Sequence, residues 1–176
     1  YTILWFFVGR EAMMSGLVVS LEDASALRAE AAAQGKRVVF TNGCFDLLHV
    51  GHVRYLKEAR QQGDLLIVGL NDDQSTRGVK GPGRPFVVQE ERAEILASLE
   101  CVDCVVIFSE STAEGLVGTL KPDVYVKGGN YRIEELPEAK MVAQYGGRVY
   151  LTSLIPDRST SSLVSNMLAH HTGTGE

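Results

Sequence analysis

The chain of 176 residues, 45% of them hydrophobic, is long enough for one well-buried domain and too short for two of ordinary size. Its formal net charge of −5 offers no basic field for tracking a nucleic-acid backbone, so small-molecule partners are expected, with no nucleic acid and no membrane. Three cysteines form an odd, sparse set that makes no disulfide framework and fits a reducing, cytoplasmic setting.

The opening residues Tyr1 to Val8 are apolar but fall far short of the roughly 20 residues a membrane span needs. Residues 1–16 are accordingly read as an extension, 17–170 as the domain and 171–176 as a disordered tail. Residues 20–34 are Ala-rich, carry Ser20 and Asp23 in a capping-box-like arrangement and stop before Gly35, which predicts a helix. Arg37 to Asn42 reads as a buried strand, Val50 to Gln62 as a helix and Leu65 to Leu70 as a second strand. A Gly/Pro-rich loop then leads to an amphipathic helix over Val88 to Glu100. Cys101-x-x-Cys104 lacks the second pair of ligands a structural zinc site requires, and falls where that helix ends and a strand over Val102 to Phe108 begins. Helix 111–120, strand 123–127, helix 137–145, strand 148–151 and a last helix from Ser161 complete the pattern. Nearly continuous apolar strands alternating with helices predict an α/β fold: a doubly wound, five-stranded parallel sheet with helices on both faces. In such Rossmann-like sheets, ligands bind beyond the carboxyl ends of the strands.

The segment Thr41-Asn-Gly-Cys-Phe-Asp-Leu-Leu-His-Val-Gly-His52 lies at one of those ends and runs into a helix. His49 and His52 are three residues apart at the helix start, so both rings can face one side, and Gly51 between them leaves the backbone open to a phosphate. The helix N-terminus adds positive potential there. The same spacing suits zinc, but further ligands are missing nearby, unless folding brings Asp46 or Cys44 close.

Phe45 to His52 resembles the signature of the cytidylyltransferase-like nucleotidyltransferases, whose two histidines stabilise the phosphate under attack. The resemblance extends over most of residues 37–169, through Asn71-Asp-Asp-Gln-Ser-Thr76, Lys80-Gly-Pro-Gly-Arg-Pro85, Val126-Lys-Gly-Gly-Asn-Tyr131 and Arg158-Ser-Thr-Ser-Ser162. Within the superfamily it is closest to the D-glycero-β-D-manno-heptose 1-phosphate adenylyltransferase family, on Thr41 to Asp46, the loop around Lys80, Ser98 to Asp103, and Lys127 to Tyr131. Leu47 departs from the proline usual in the pantetheine-phosphate and nicotinate-mononucleotide branches. Many relatives are fused to a sugar kinase, for which 176 residues have no room.

The resemblance implies AMP transfer from ATP to the sugar phosphate with release of pyrophosphate, Mg²⁺ arriving on the triphosphate, and a homodimer. It leaves glycerol-3-phosphate cytidylyltransferase, FMN adenylyltransferase and a non-catalytic nucleotide-binding regulator as alternatives. The acceptor's phosphate is already ionised, so positioning and charge stabilisation are the catalytic needs, with His49 and His52 as donors. Lys80, in a glycine-rich loop, is the third catalytic candidate and a substrate contact. Thr41, Gly43, Cys44, Phe45 and Gly51 are expected around the nucleotide. Lys127 and Gly128 are expected beside its base or ribose. Ser159, Thr160 and Ser161 read either as an N-cap or as a cradle for the β- and γ-phosphates. Arg92 either reaches the same phosphates or pairs with Glu90, Glu91 and Glu94 on its helix. Asn71 is expected at the acceptor. Asp46 faces the acceptor, orients a histidine or forms an Asx turn.

Overall fold

The computed structural model describes residues 16–128 and 131–153 together with Thr160, Val164 and Met167. Residues 1–15 of the expected extension, the tail at 171–176, and Ser159 and Ser161 lie outside the described residues. The chain forms β1 (Leu17–Val18), α1 (Leu21–Ala33), β2 (Val38–Gly43), α2 (Val50–Arg60), β3 (Leu65–Asn71), α3 (Asp73–Lys80) and α4 (Gln89–Ala97). It continues with β4 (Cys104–Phe108), α5 (Glu114–Leu120), β5 (Val124–Lys127), a 3-10 turn (Ile133–Glu135), α6 (Pro137–Gln144) and β6 (Arg148–Leu151). Thr160, Val164 and Met167 are helical.

All strand pairs are parallel, in the order β1-β4-β3-β2-β5-β6. The doubly wound fold therefore stands, with one strand more than the five expected. The addition, β1, pairs with the outer edge of β4 and is two residues long, too short for any periodicity to show. A second difference is α3, which occupies part of the expected loop and carries Lys80 as its last residue. Its sequence is polar and shows no apolar stripe, but Asp72 caps it by accepting the Ser75 N–H at 2.6 Å, and Gly81 at φ +94° ends it.

Alternation along the strands divides the core in two. Val38, Phe40, Ile67, Val106 and Tyr125 pack on the face covered by α1, α5 and α6. Val39, Leu66, Val68, Leu70 and Val126 pack on the other, under α2 and α4. Because both faces are covered, the central strands are apolar throughout.

The chain leaves β2 for β3 on one side and returns to β5 on the other, so the crevice beyond the carboxyl ends of β2 and β5 is the topological switch point. The opposite edge is built for stability. There Asp64 accepts the Arg37 N–H at 2.8 Å, Asp123 the Val38 N–H at 2.7 Å and Asp103 the Leu66 N–H at 2.7 Å, each joining the start of one strand to a neighbouring loop. Arg28 pairs with Asp123 at 3.2 Å and Arg60 with Asp103 at 3.1 Å. Asp123→Ala leaves the N–H of the fully buried Val38 without its acceptor. The expected cost is about 1–3 kcal/mol in urea unfolding, with substrate KM values unchanged.

Candidate active site

The site starts where β2 ends. Phe45 takes a left-handed φ of +44°, turning the chain so that its ring is buried and meets His52 edge-on, with centroids 5.3 Å apart. His49 is the N-cap of α2, and its Nδ1 accepts the Gly51 N–H at 3.1 Å. A nitrogen that accepts carries no proton, so the neutral ring of His49 holds its proton on Nε2. The His49 and His52 rings stack at 4.0 Å with 27° between their planes, which brings the two onto one side of the helix as their spacing predicts.

Burial pushes the pKa of His52 down to about 4 from the usual 6.5, and His49 and then Lys80 add to the shift. Its Nδ1 is buried and has no hydrogen-bond partner among the described residues. At neutral pH His52 is thus an uncharged imidazole, and Lys80, exposed at the end of α3, brings the positive charge near it.

Lys127 ends β5 on the far lip of the crevice, its ammonium 3.4 Å from the Asn42 carbonyl oxygen and 5.8 and 5.5 Å from the ring centroids of Tyr125 and Tyr131. Burial lowers its pKa against the opposing pull of Glu138 and Cys44. Gly128 follows it, its carbonyl accepting the Tyr131 N–H at 3.2 Å. His49 and His52 after β2, and Lys127 and Gly128 at the end of β5, thus follow the two strands that flank the switch point, with Lys80 near His52. Thr160 is helical and half-buried.

Other expected ligand contacts are instead spent on protein. Arg92 is 1% exposed and neither reaches outward nor pairs along its own helix. Its Nε donates to the Val87 carbonyl at 2.9 Å, its Nη1 to the carbonyls of Cys44 and Asn71, and its Nη2 to Asp73 at 2.7 Å. Asp46, 5% exposed, neither orients a histidine nor caps a local turn. Its Oδ2 takes Arg84 at 2.7 Å, and its Oδ1 takes the N–H groups of Phe86 at 2.6 Å and Val87 at 3.3 Å. Asn71 gives its amide to Ser75 Oγ at 3.2 Å and the Glu110 carbonyl at 3.3 Å. The Thr41 hydroxyl is fully buried between Tyr55 and the Val126 carbonyl, and Cys44 is buried as well.

Sequence reasoning passed over Arg84, Phe86 and Tyr55. The first two sit within or beside the quoted Lys80-to-Pro85 motif, and only the partner Asp46, some 40 residues away, reveals what they do. Among the described residues no group of three or more His, Cys, Asp or Glu is placed to hold a metal, and no helix is long and apolar enough to cross a membrane.

The depressed pKa of His52 has a consequence for stability. Between pH 6.5 and about 4 the unfolded chain protonates this ring and the folded chain does not. Its contribution is therefore complete above 6.5 and is lost as the pH falls toward 4. Urea midpoints at pH 7 and pH 4.5 are expected to differ more in the unaltered protein than in His52→Asn.

The Cytidylyltransferase-like family model matches residues 40–164. The chain is 52% identical over 151 residues to the bifunctional protein HldE of Geobacter sulfurreducens, covering 86% of this chain and 31% of that protein. It is 55% identical over 135 residues to the bifunctional protein HldE of Syntrophotalea carbinolica, covering 77% and 28%. The chain thus spans less than a third of the length of either relative. Among solved structures, the lipopolysaccharide core biosynthesis protein from Thermoplasma volcanium superposes with a TM-score of 0.57 at 27% identity, covering 69% of this chain and 98% of that one. Pantoate-beta-alanine ligase from Francisella tularensis, at 15% identity and a TM-score of 0.55, shares the fold.

Proposed function

This chain belongs to the cytidylyltransferase-like family of nucleotidyltransferases, and from that premise we propose that it transfers AMP from ATP to D-glycero-β-D-manno-heptose 1-phosphate, giving ADP-heptose and pyrophosphate. The observation that carries the reaction type is the stacked His49–His52 pair at the start of α2, at the switch point, with Lys80 beside it. The choice of ATP and a heptose phosphate is supported by the sequence around Thr41–Asp46, Ser98–Asp103 and Lys127–Tyr131. It is supported too by the identity with two bifunctional HldE proteins and the likeness to a lipopolysaccharide core biosynthesis protein.

In this reading a phosphate oxygen of the acceptor attacks the α-phosphorus of ATP; the new P–O bond forms as the bond to the β-phosphate oxygen breaks, and pyrophosphate leaves. No proton must be removed from the nucleophile, so the residues act by position and charge. His49, with its proton on Nε2, and the neutral His52 donate to the α-phosphate oxygens as negative charge builds there. Lys80 supplies a full positive charge to the same phosphates. Gly51, its N–H already given to His49, keeps that surface of α2 free of a side chain. Lys127 and Gly128 flank the nucleotide on the β5 lip, and Ser159, Thr160 and Ser161 receive its outer phosphates. Thr41, Gly43, Cys44, Phe45, Asn71 and Arg92 set the shape of the pocket from behind. Mg²⁺ enters with the triphosphate as part of the substrate. The enzyme works in the cytoplasm, where ATP is available.

Pyrophosphate release with ATP and CTP, crossed against heptose 1-phosphate, glycerol 3-phosphate and FMN, tests the assignment. ATP with the heptose phosphate is expected to be the productive pair, and release with CTP and glycerol 3-phosphate alone overturns it. In the same assay His52→Ala is expected to lower kcat by about 100–1,000-fold with a modest change in ATP affinity, the pattern of a donor that matters most in the transition state.

A further inference from the structure

We propose that the acceptor's sugar ring is seated on the exposed face of Phe86, which Asp46 and Arg84 hold in place at the rim of the crevice. This rests on the function proposed above and names the part of the site that reads the acceptor. Phe86 is 53% exposed, and one exposed aromatic residue is ordinary in itself. This one is not loose. Its N–H is fixed by Asp46 Oδ1 at 2.6 Å, and the Arg84 guanidinium lies 4.2 Å from its ring centroid. Arg84 is in turn held by Asp46 Oδ2 at 2.7 Å. One buried carboxylate, three residues before His49, therefore sets the backbone of Phe86, the cation stacked on its ring and the loop that carries the histidines. An aromatic ring is thus held half-open to water on a segment that Asp46 ties to the loop before His49. Part of the gain from burying such a side chain is left unused in the free protein.

The chemistry of this platform selects its occupant. Asp46 neutralises Arg84, so a triphosphate finds no net positive charge there. An apolar face with negative π density suits the C–H face of a sugar, whose hydrogens carry partial positive charge. Position separates the platform from the nucleotide. Phe86 follows α3 on the β3 side, whereas Lys127 ends β5 and Tyr131 follows it, across the switch point. In-line displacement places the entering oxygen opposite the departing pyrophosphate. With the nucleotide laid along β5, the acceptor enters from the side of Phe86.

The test is steady-state kinetics of F86A, F86L and F86Y with ATP and heptose 1-phosphate, with thermal melting of each protein. The acceptor KM is expected to rise about tenfold in F86A and F86L and to stay near the unaltered value in F86Y, while the ATP KM and the melting temperatures do not move. A structural apolar role would be met by leucine, so a normal acceptor KM in F86L overturns the proposal. So does a rise in the ATP KM in place of the acceptor KM. No turnover of heptose 1-phosphate by the unaltered protein overturns the function assigned above and this subsite with it, whereas turnover with unaltered kinetics in F86L overturns the subsite alone.

Discussion

The buried guanidinium of Arg92 joins four pieces of chain that would otherwise meet only at their ends: the histidine loop at Cys44, the end of β3 at Asn71, the start of α3 at Asp73 and the approach to α4 at Val87. A charge so deep in the protein is tolerable only because three carbonyls and a carboxylate surround it, and removing one side of such a buried pair typically costs about 3–5 kcal/mol. Arginine suits the position because its planar fork spreads its donors over separate acceptors, which the compact ammonium of lysine cannot do. Asp46 works in the reverse sense, as an anion that collects donors from Arg84, Phe86 and Val87. Together the two residues fasten the histidine loop after β2 to the segment between α3 and α4, so the chain beyond β2 and β3 is held as one unit.

That rigidity bears on the chemistry. A phosphoryl group under attack is stabilised by donors already aimed at the developing charge, and reorganising them during the reaction would raise the barrier. His49 has its donor nitrogen chosen for it by the Gly51 N–H, and His52 is kept neutral by burial first, with its neighbours His49 and Lys80 adding to the shift. The positive charge is left to Lys80, at an exposed helix end. The two edges of the sheet divide the work: aspartates join the strands at their beginnings, and the crevice with its histidines lies beyond their ends.

Most of the architecture was legible in the sequence because it rests on local rules. Apolar runs of strand length separated by amphipathic stretches required a parallel sheet covered on both faces, and the Ser20 cap of α1 appears as expected, with Ser20 Oγ accepting the Asp23 N–H at 3.1 Å. The His49–His52 pairing followed from helical spacing alone. By contrast β1 was illegible because two residues carry no period, and α3 because its polar sequence has no apolar face and depends on the cap from Asp72.

What only the tertiary structure decided was which polar residues face the crevice and which hold it together. Arg92, Asp46, Asn71 and Thr41 all lie in or near the motifs that mark the site, and by sequence each had equal claim to a ligand. Their partners are 14 to 85 residues away for Thr41 and 38 to 41 for Asp46, so no local pattern encodes them. Burial is the physical reason for the division: a charged or polar group removed from water must find its partners in the protein, and one that has done so has little left to offer a substrate. Sequence by itself determined the kind of fold and that His49 and His52 lie on one side at the start of α2, beyond the carboxyl end of β2. The three-dimensional packing determined that the loop before these histidines is held by a buried arginine and a buried aspartate, and that the same aspartate fixes Phe86.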